Sequence, residues 1–226
     1  MGRRNQLIEE VRRRPLLQVA FDLVDLDQAI EILKEVDGYL DIAEVGTPLI
    51  KSVGMCAVKR FRDVVGDRYV LADLKALDAI EIEFEEVAKA GGDAVTVMGY
   101  AYDEIISFAV DAAKRLGLFL VADLMYVPNP VERATRLAEL GVDAVCLHIG
   151  VDVQRIRGLD ASQLLSEVRD IASTGMIVAV AGGIKPTEVD RYIEHGARIV
   201  IIGSGIVRSS NPRESARIAI EKMRRG

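Results

Sequence analysis

Asp73, Lys75 and Asp78 form an Asp-x-Lys-x-x-Asp arrangement at the end of the apolar run from Tyr69 to Leu74. Two carboxylates flanking one ammonium can bind a divalent cation, hold positive charge beside a developing anion, or orient a polyol. The same residue types also make plain surface ion pairs. Side chains alternate along a strand, so Asp73 and Lys75 are expected to point the same way, with Asp78 in the loop beyond the strand end.

The elements that must position these groups are legible as a repeat. Apolar runs recur at Leu16 to Phe21, Leu40 to Val45, Tyr69 to Leu74, Ala94 to Met98, Phe119 to Leu124, Ala144 to Leu147, Met176 to Ala181 and Ile199 to Ile202. They read as buried parallel strands. Between them lie amphipathic segments such as Leu26, Ala29, Ile30 and Leu33, or Val131, Ala134, Leu137 and Leu140, with helical spacing. Asp25, Pro48, Pro130, Pro186 and Pro212 mark helix starts. Gly38, Gly66, Gly91, Gly117, Gly141, Gly175 and Gly196 fall where left-handed helix ends are expected. About eight such alternations predict an α/β fold, a single (β/α)₈ TIM barrel over residues 1–226, with an open doubly wound sheet as the alternative. Residues 1–14 read as a short N-terminal helical extension, with Ile8 and Val11 at helical spacing.

Composition narrows the function classes. A chain of 226 residues, half of them hydrophobic, suits one large domain. Its 29 basic and 35 acidic residues are spread along the chain and give a net charge of -6, which argues against nucleic-acid binding despite Arg3, Arg4 and Arg12 to Arg14. Cys56 and Cys146 lack the spacing of a disulfide framework or a zinc site and fit a reducing cytosol. No run suggests a signal peptide or a membrane span, so a soluble, cytoplasmic protein without a membrane partner is expected.

In such barrels chemistry gathers where the strands end. Those ends carry Asp22, Glu44, Asp73 with Lys75, Met98, Asp123, His148, Gly182 with Gly183, and Gly203. Ionisable groups crowded into one mouth have no stability rationale unless they are paired or bind a metal. Gly182, Gly183, Gly203 and Ser204 would expose backbone amides as a phosphate cradle. Glu44 and Asp73, on neighbouring strands, can offer oxygens to Mg2+, or one of them can pair with Lys75. His148 can exchange protons near neutrality or be a satisfied core residue, whereas His195 beside Gly196 reads as a helix-end residue. Together these groups fit enediolate chemistry on a ketose phosphate. A Schiff base on Lys75 ranks lower, because flanking acids keep its amine charged.

The segments Leu16 to Asp22, Glu44 to Lys51, Ala72 to Asp78, His148 with Asp152 and Gln154, and Val180 to Ile184 resemble the orotidine monophosphate decarboxylase superfamily, and within it the 3-hexulose-6-phosphate synthases. The orotidine monophosphate decarboxylases differ by a lysine in place of Glu44 and an arginine in place of Ser204. The 3-keto-L-gulonate-6-phosphate decarboxylases typically carry Glu, Arg and Thr in place of Asp123, Val151 and Ala181. The resemblance implies Mg2+ held with help from Glu44 and Asp73. It implies that His148 takes the C1 proton of D-ribulose 5-phosphate, and that Lys75 stabilises an enediolate that attacks formaldehyde. Asp22 would organise the lysine cluster, while Asp123, Ala181, Gly182, Gly183, Gly203 and Ser204 would contact substrate. Asp78 would reach the partner's site in a homodimer with shared active sites. A decarboxylase-like enzyme and a non-catalytic sugar-phosphate-binding barrel are the alternatives. Phe21, Ile80 and Ile149 depart from the usual pattern at positions without a chemical role.

Overall fold

In the computed structural model, which describes residues 2–225, eight parallel strands close into a barrel in sequence order. They are β1 (Leu16–Phe21), β2 (Ile42–Val45), β3 (Tyr69–Ala76), β4 (Ala94–Met98), β5 (Phe119–Asp123), β6 (Ala144–His148), β7 (Ile177–Ala181) and β8 (Ile199–Ile202). Pairing of Leu16 with Ile199 and Val19 with Ile202 joins the last strand to the first, which excludes the open sheet. The helices are α1 (Arg3–Arg13), α2 (Leu26–Val36), α3 (Thr47–Val53), α4 (Cys56–Val65), α5 (Ile80–Lys89), α6 (Asp103–Leu116), α7 (Pro130–Leu140), α8 (Val151–Arg157), α9 (Leu165–Ala172), α10 (Val189–Glu194), α11 (Ser204–Val207) and α12 (Pro212–Arg225). Met1 and Gly226, within the expected domain limits, lie outside the described residues.

Local chemistry sets these boundaries. Asp25 caps α2 by accepting the Gln28 N–H at 2.9 Å, and prolines open α3, α7 and α12. Gly117 and Gly141 end α6 and α7 in the left-handed region, as expected. Gly38 does not do so. It sits inside a 3-10 turn from Asp37 to Tyr39 that follows α2 directly, so a left-handed residue is not needed there.

Two apolar layers result. One lies between sheet and helices, and the other fills the barrel lumen. The lumen is closed from below by α1, whose Leu7 and Val11 are fully buried, on the order of 1.5–3 kcal/mol each. The buried pair is thus Leu7 with Val11, with Ile8 only partly covered. Among the described residues no helix is long and apolar enough to cross a membrane.

Candidate active site

The expected residues meet at the C-terminal mouth of the barrel, and β3 delivers the densest group. Plain alternation does not place Lys75. Pairing between β3 and β4 shifts register between Ala72 and Ala76, and Lys75 itself takes a positive φ of 48°. This bulge re-aims the chain at the rim. Thr96 on β4 pins it: its Oγ1 accepts the Lys75 N–H at 2.9 Å and donates to Asp73 Oδ1 at 2.7 Å. Among the described residues the other non-glycine positive φ values belong to Ala79 and Tyr126, also in rim loops, and such strain concentrates at functional sites.

Thr96→Val keeps the side-chain shape but strips both partners, so it is expected to cost about 1–3 kcal/mol, seen as a lowered denaturant midpoint. Thr96→Ser should stay near wild type. An unchanged midpoint in the valine protein would show that the bulge holds itself.

Lys75 Nζ lies 2.7 Å from Asp73 Oδ2 and 3.0 Å from Asp123 Oδ2. Its ion-pair partners are therefore Asp73 and Asp123, not Glu44. Burial opposes the lysine's charge, but the two aspartates outweigh it and raise its pKa further, which is the wrong state for a nucleophilic amine. Asp123 is 2% exposed and also lies 2.9 Å from His148 Nδ1, while its Oδ1 accepts the Met125 N–H at 2.9 Å. Burial would raise its pKa, yet the His148 hydrogen bond and the nearby positive charge hold it well below the usual range. One carboxylate on β5 thus orients both the lysine from β3 and the histidine from β6.

Glu44 is buried, and its hydrogen bond comes from Gln18 Nε2 at 2.7 Å. Burial pushes its carboxyl pKa well up, and the charges of Asp73 and Asp22 push it further. Asp22 stands at the open mouth. Desolvation by the surrounding walls and the Asp73 charge raise its pKa, against the opposing charges of Lys75, His148 and Arg208. Gly46 keeps its place beside Asp22 because a Cβ there would sit 2.3 Å from Asp22 Oδ1 and 2.8 Å from the Phe21 carbonyl. Thr47 donates to Asp73 Oδ2 at 2.7 Å.

Asp22, Glu44 and Asp73 crowd around a lysine that Asp123 also shares. Hard oxygens and surplus negative charge are what a divalent cation such as Mg2+ takes. Among the described residues, however, no group of three or more His, Cys, Asp or Glu side chains is placed to hold a metal ion by itself. A cation at Glu44 and Asp73 would therefore draw its remaining oxygens from water or substrate.

On the opposite side, Gly182 and Gly183 follow Ala181 with φ of 118° and 70°. A Cβ on Gly182 would lie 2.6 Å from the Ile149 carbonyl, so only glycine fits. Gly203 and Ser204 open α11 next to this loop, with Gly205 against the Ile184 carbonyl. Asp78 lies in the loop after β3, exposed, its Oδ1 accepting the Ala79 N–H at 2.8 Å. Its side-chain hydrogen bond stays within its own loop rather than reaching the Lys75 cluster. His195 ends α10 away from the site, as expected.

Sequence reasoning passed over Gln18, Thr96 and Thr47. The first two are polar residues within otherwise apolar strands, which was the available signal. Arg208 was also missed; its guanidinium lies 3.5 Å from the Asp22 carbonyl oxygen.

Known proteins share this fold and resemble this sequence. The orotidine 5'-phosphate decarboxylase / HUMPS family model matches residues 15–219. A 3-hexulose-6-phosphate synthase of Staphylococcus epidermidis is 37% identical over 208 residues, covering 91% of this chain and 98% of that protein. A crystal structure of a 3-hexulose-6-phosphate synthase superimposes with a TM-score of 0.87 at 34% identity, covering 92% of this chain and 99% of the other. A crystal structure of KGPDC from Streptococcus mutans gives 0.86 at 25% identity, covering 93% and 98%.

Proposed function

The chain therefore belongs to the orotidine 5'-phosphate decarboxylase / HUMPS family, as a lyase of that superfamily, and on that premise we propose that it is a magnesium-dependent aldolase joining formaldehyde to D-ribulose 5-phosphate. The product is D-arabino-hex-3-ulose 6-phosphate, and the step is reversible. The observation that carries this reading is Asp123 bridging Lys75 and His148. With Nδ1–H held by that carboxylate, His148 keeps Nε2 free as a base for the C1 proton of the ketose. Lys75, kept charged, sits beside the enediolate oxygen. C1 then attacks the formaldehyde carbon, one carbon–carbon bond forms, and a proton returns to the former formaldehyde oxygen. Magnesium at Glu44 and Asp73, when bound, supplies charge that polarises the ketose carbonyl and stabilises the enediolate. Backbone amides of Gly182, Gly183, Gly203 and Ser204 bind the phosphate, and Asp22 orients the hydroxyls. The relatives named 3-hexulose-6-phosphate synthase support this assignment.

The working unit in this reading is a homodimer whose partner supplies Asp78. In support, Leu77 is 45% and Ile82 68% exposed around that loop, and Tyr102 at the start of α6 is 81% exposed. Glu83 Oε2 is buried there with no partner among the described residues, and burial together with Asp78 raises its pKa. Two free thiols, Cys56 and Cys146, suit a reducing cytosol.

The test is condensation of D-ribulose 5-phosphate with formaldehyde. EDTA should abolish turnover and magnesium should restore it. Full activity of a Glu44→Gln, Asp73→Asn double variant in chelator would remove the metal from the scheme. Faster decarboxylation of 3-keto-L-gulonate 6-phosphate than condensation would move the protein to the decarboxylase branch. Binding of D-ribulose 5-phosphate without turnover or C1 proton exchange would make it a non-catalytic barrel.

A further inference from the structure

The residue before each even-numbered strand occupies an equivalent place at the lower end of the barrel. These residues are Asp41, Asp93, Asp143 and Arg198. Each donates its backbone N–H to the preceding odd strand, to the carbonyls of Leu17, Val70, Leu120 and Val178 at 3.0, 2.8, 3.2 and 2.8 Å. The three aspartates also accept, through their side chains, the N–H groups of Leu17, Val70 and Leu120.

Helix α1 lies across this ring and matches it charge for charge. Arg14, just past the helix, pairs with Asp41 at 2.7 Å, Arg3 with Asp93 at 2.8 Å where Arg62 of α4 pairs as well, and Arg4 Nε with Asp143 at 2.9 Å. At the fourth position the sign is reversed. There Arg198 donates to the carbonyls of Val11 and Arg12 at 2.7 to 2.9 Å, at the negative C-terminal end of the α1 dipole. The clustered arginines that could suggest an anionic partner are thus largely used within the chain.

The attachment is nevertheless limited. The family match starts only after α1. The helix buries just Leu7 and Val11, the arginine ends of its ion pairs are partly solvent-exposed while the aspartate ends are largely buried, and a cavity of about 210 Å³ lined by Ile8, Arg12, Val142 and Met176 runs along its β6–β7 side. Partly exposed ion pairs weaken in salt. Above the plug, Cys146 belongs to the same lumen cluster as Leu7 and Val11, and feels the charges of Asp123, Lys75 and Glu44. It therefore lies between the plug and the catalytic layer.

We infer that α1 is a charge-latched plug that lifts from the barrel as a unit while the strands stay paired, and that its seating controls water access to the lumen floor beneath the active site. Local opening of this kind can be read by thiol labelling of the full chain carrying Cys56→Ser, which leaves Cys146 as its one thiol. Labelling should be slow in that parent and faster in high salt. Adding Arg3→Gln and Arg4→Gln should speed it by about tenfold or more with the far-UV circular dichroism retained, and Arg3→Lys with Arg4→Lys should restore part of the protection. Equal rates in the parent and the glutamine variant would overturn the inference. Should the glutamine variant not fold, hydrogen exchange on the parent decides. Faster exchange in α1 than in β1 and β2, hastened by salt, supports the plug; strand-like, salt-indifferent protection of α1 refutes it.

Discussion

Lys75→Ala and Asp78→Ala proteins, each nearly inactive alone, should regain activity when mixed under conditions of subunit exchange. The expectation follows from where the two residues sit. Lys75 is fixed in its own site by Asp73 and Asp123, whereas Asp78 is held outward at the exposed rim by a loop in which Ala79 has a φ of 51°. If each site takes Lys75 from one subunit and Asp78 from its partner, a mixed dimer has one site lacking both residues and one lacking neither. Random exchange of equal amounts makes about half the dimers mixed and half of their sites intact, so recovery approaches about one quarter of wild type by the symmetry of a two-fold interface. Turnover is measured on D-ribulose 5-phosphate and formaldehyde, with exchange followed separately by native mass spectrometry. No recovery despite demonstrated exchange would place both residues in one subunit's site.

How far the sequence disclosed this architecture depends on whether a feature is local. The runs of β1, β4 and β8 coincide with the observed strands because proline, glycine or charged residues bound them on both sides. For β2 the apolar run begins too early. Asp41 belongs to the lower ring, where it binds Arg14 and the Leu17 N–H, so the strand starts at Ile42. β3 runs on to Ala76 because Thr96, distant in sequence, stabilises a bulge that no local pattern announces. The rim acids were visible as polar residues closing apolar runs. Their partnerships were not, since Asp123 on β5 meets Lys75 on β3 and His148 on β6 only after the four strands β3 to β6 stand side by side. The resemblance offered Asp123 as a substrate contact; its near-complete burial and its hydrogen bonds give it an orienting position as well. The arginines of α1 show the same limit, because their acidic partners are spread over about a hundred residues of chain and become neighbours only at the foot of the barrel.

Glu44→Gln should abolish turnover and, in chelator, stabilise the protein. Glutamine keeps the shape and can still meet Gln18 with one amide flipped, while it removes an ionisable group from a buried place beside Asp73 and Asp22. The sign follows from proton linkage. Because the folded pKa of Glu44 is raised, the folded state holds its proton more tightly than the unfolded chain, so this residue's contribution to stability falls as pH rises above the unfolded carboxylate value and on through the folded one. The variant's advantage in melting temperature should therefore grow between about pH 5 and about pH 8. Magnesium should reverse the comparison. A cation that binds only the folded protein stabilises it in proportion to the logarithm of its concentration over its dissociation constant, and the wild type, with Glu44 as a charged ligand, should gain where the variant does not. Thermal melts of both proteins at the two pH values, with chelator and with magnesium, measure all of this independently of turnover. A variant less stable than wild type in chelator at about pH 8 would mean that Glu44 is held folded by a favourable partner rather than strained by burial. Equal magnesium stabilisation of both proteins would remove Glu44 from the metal site.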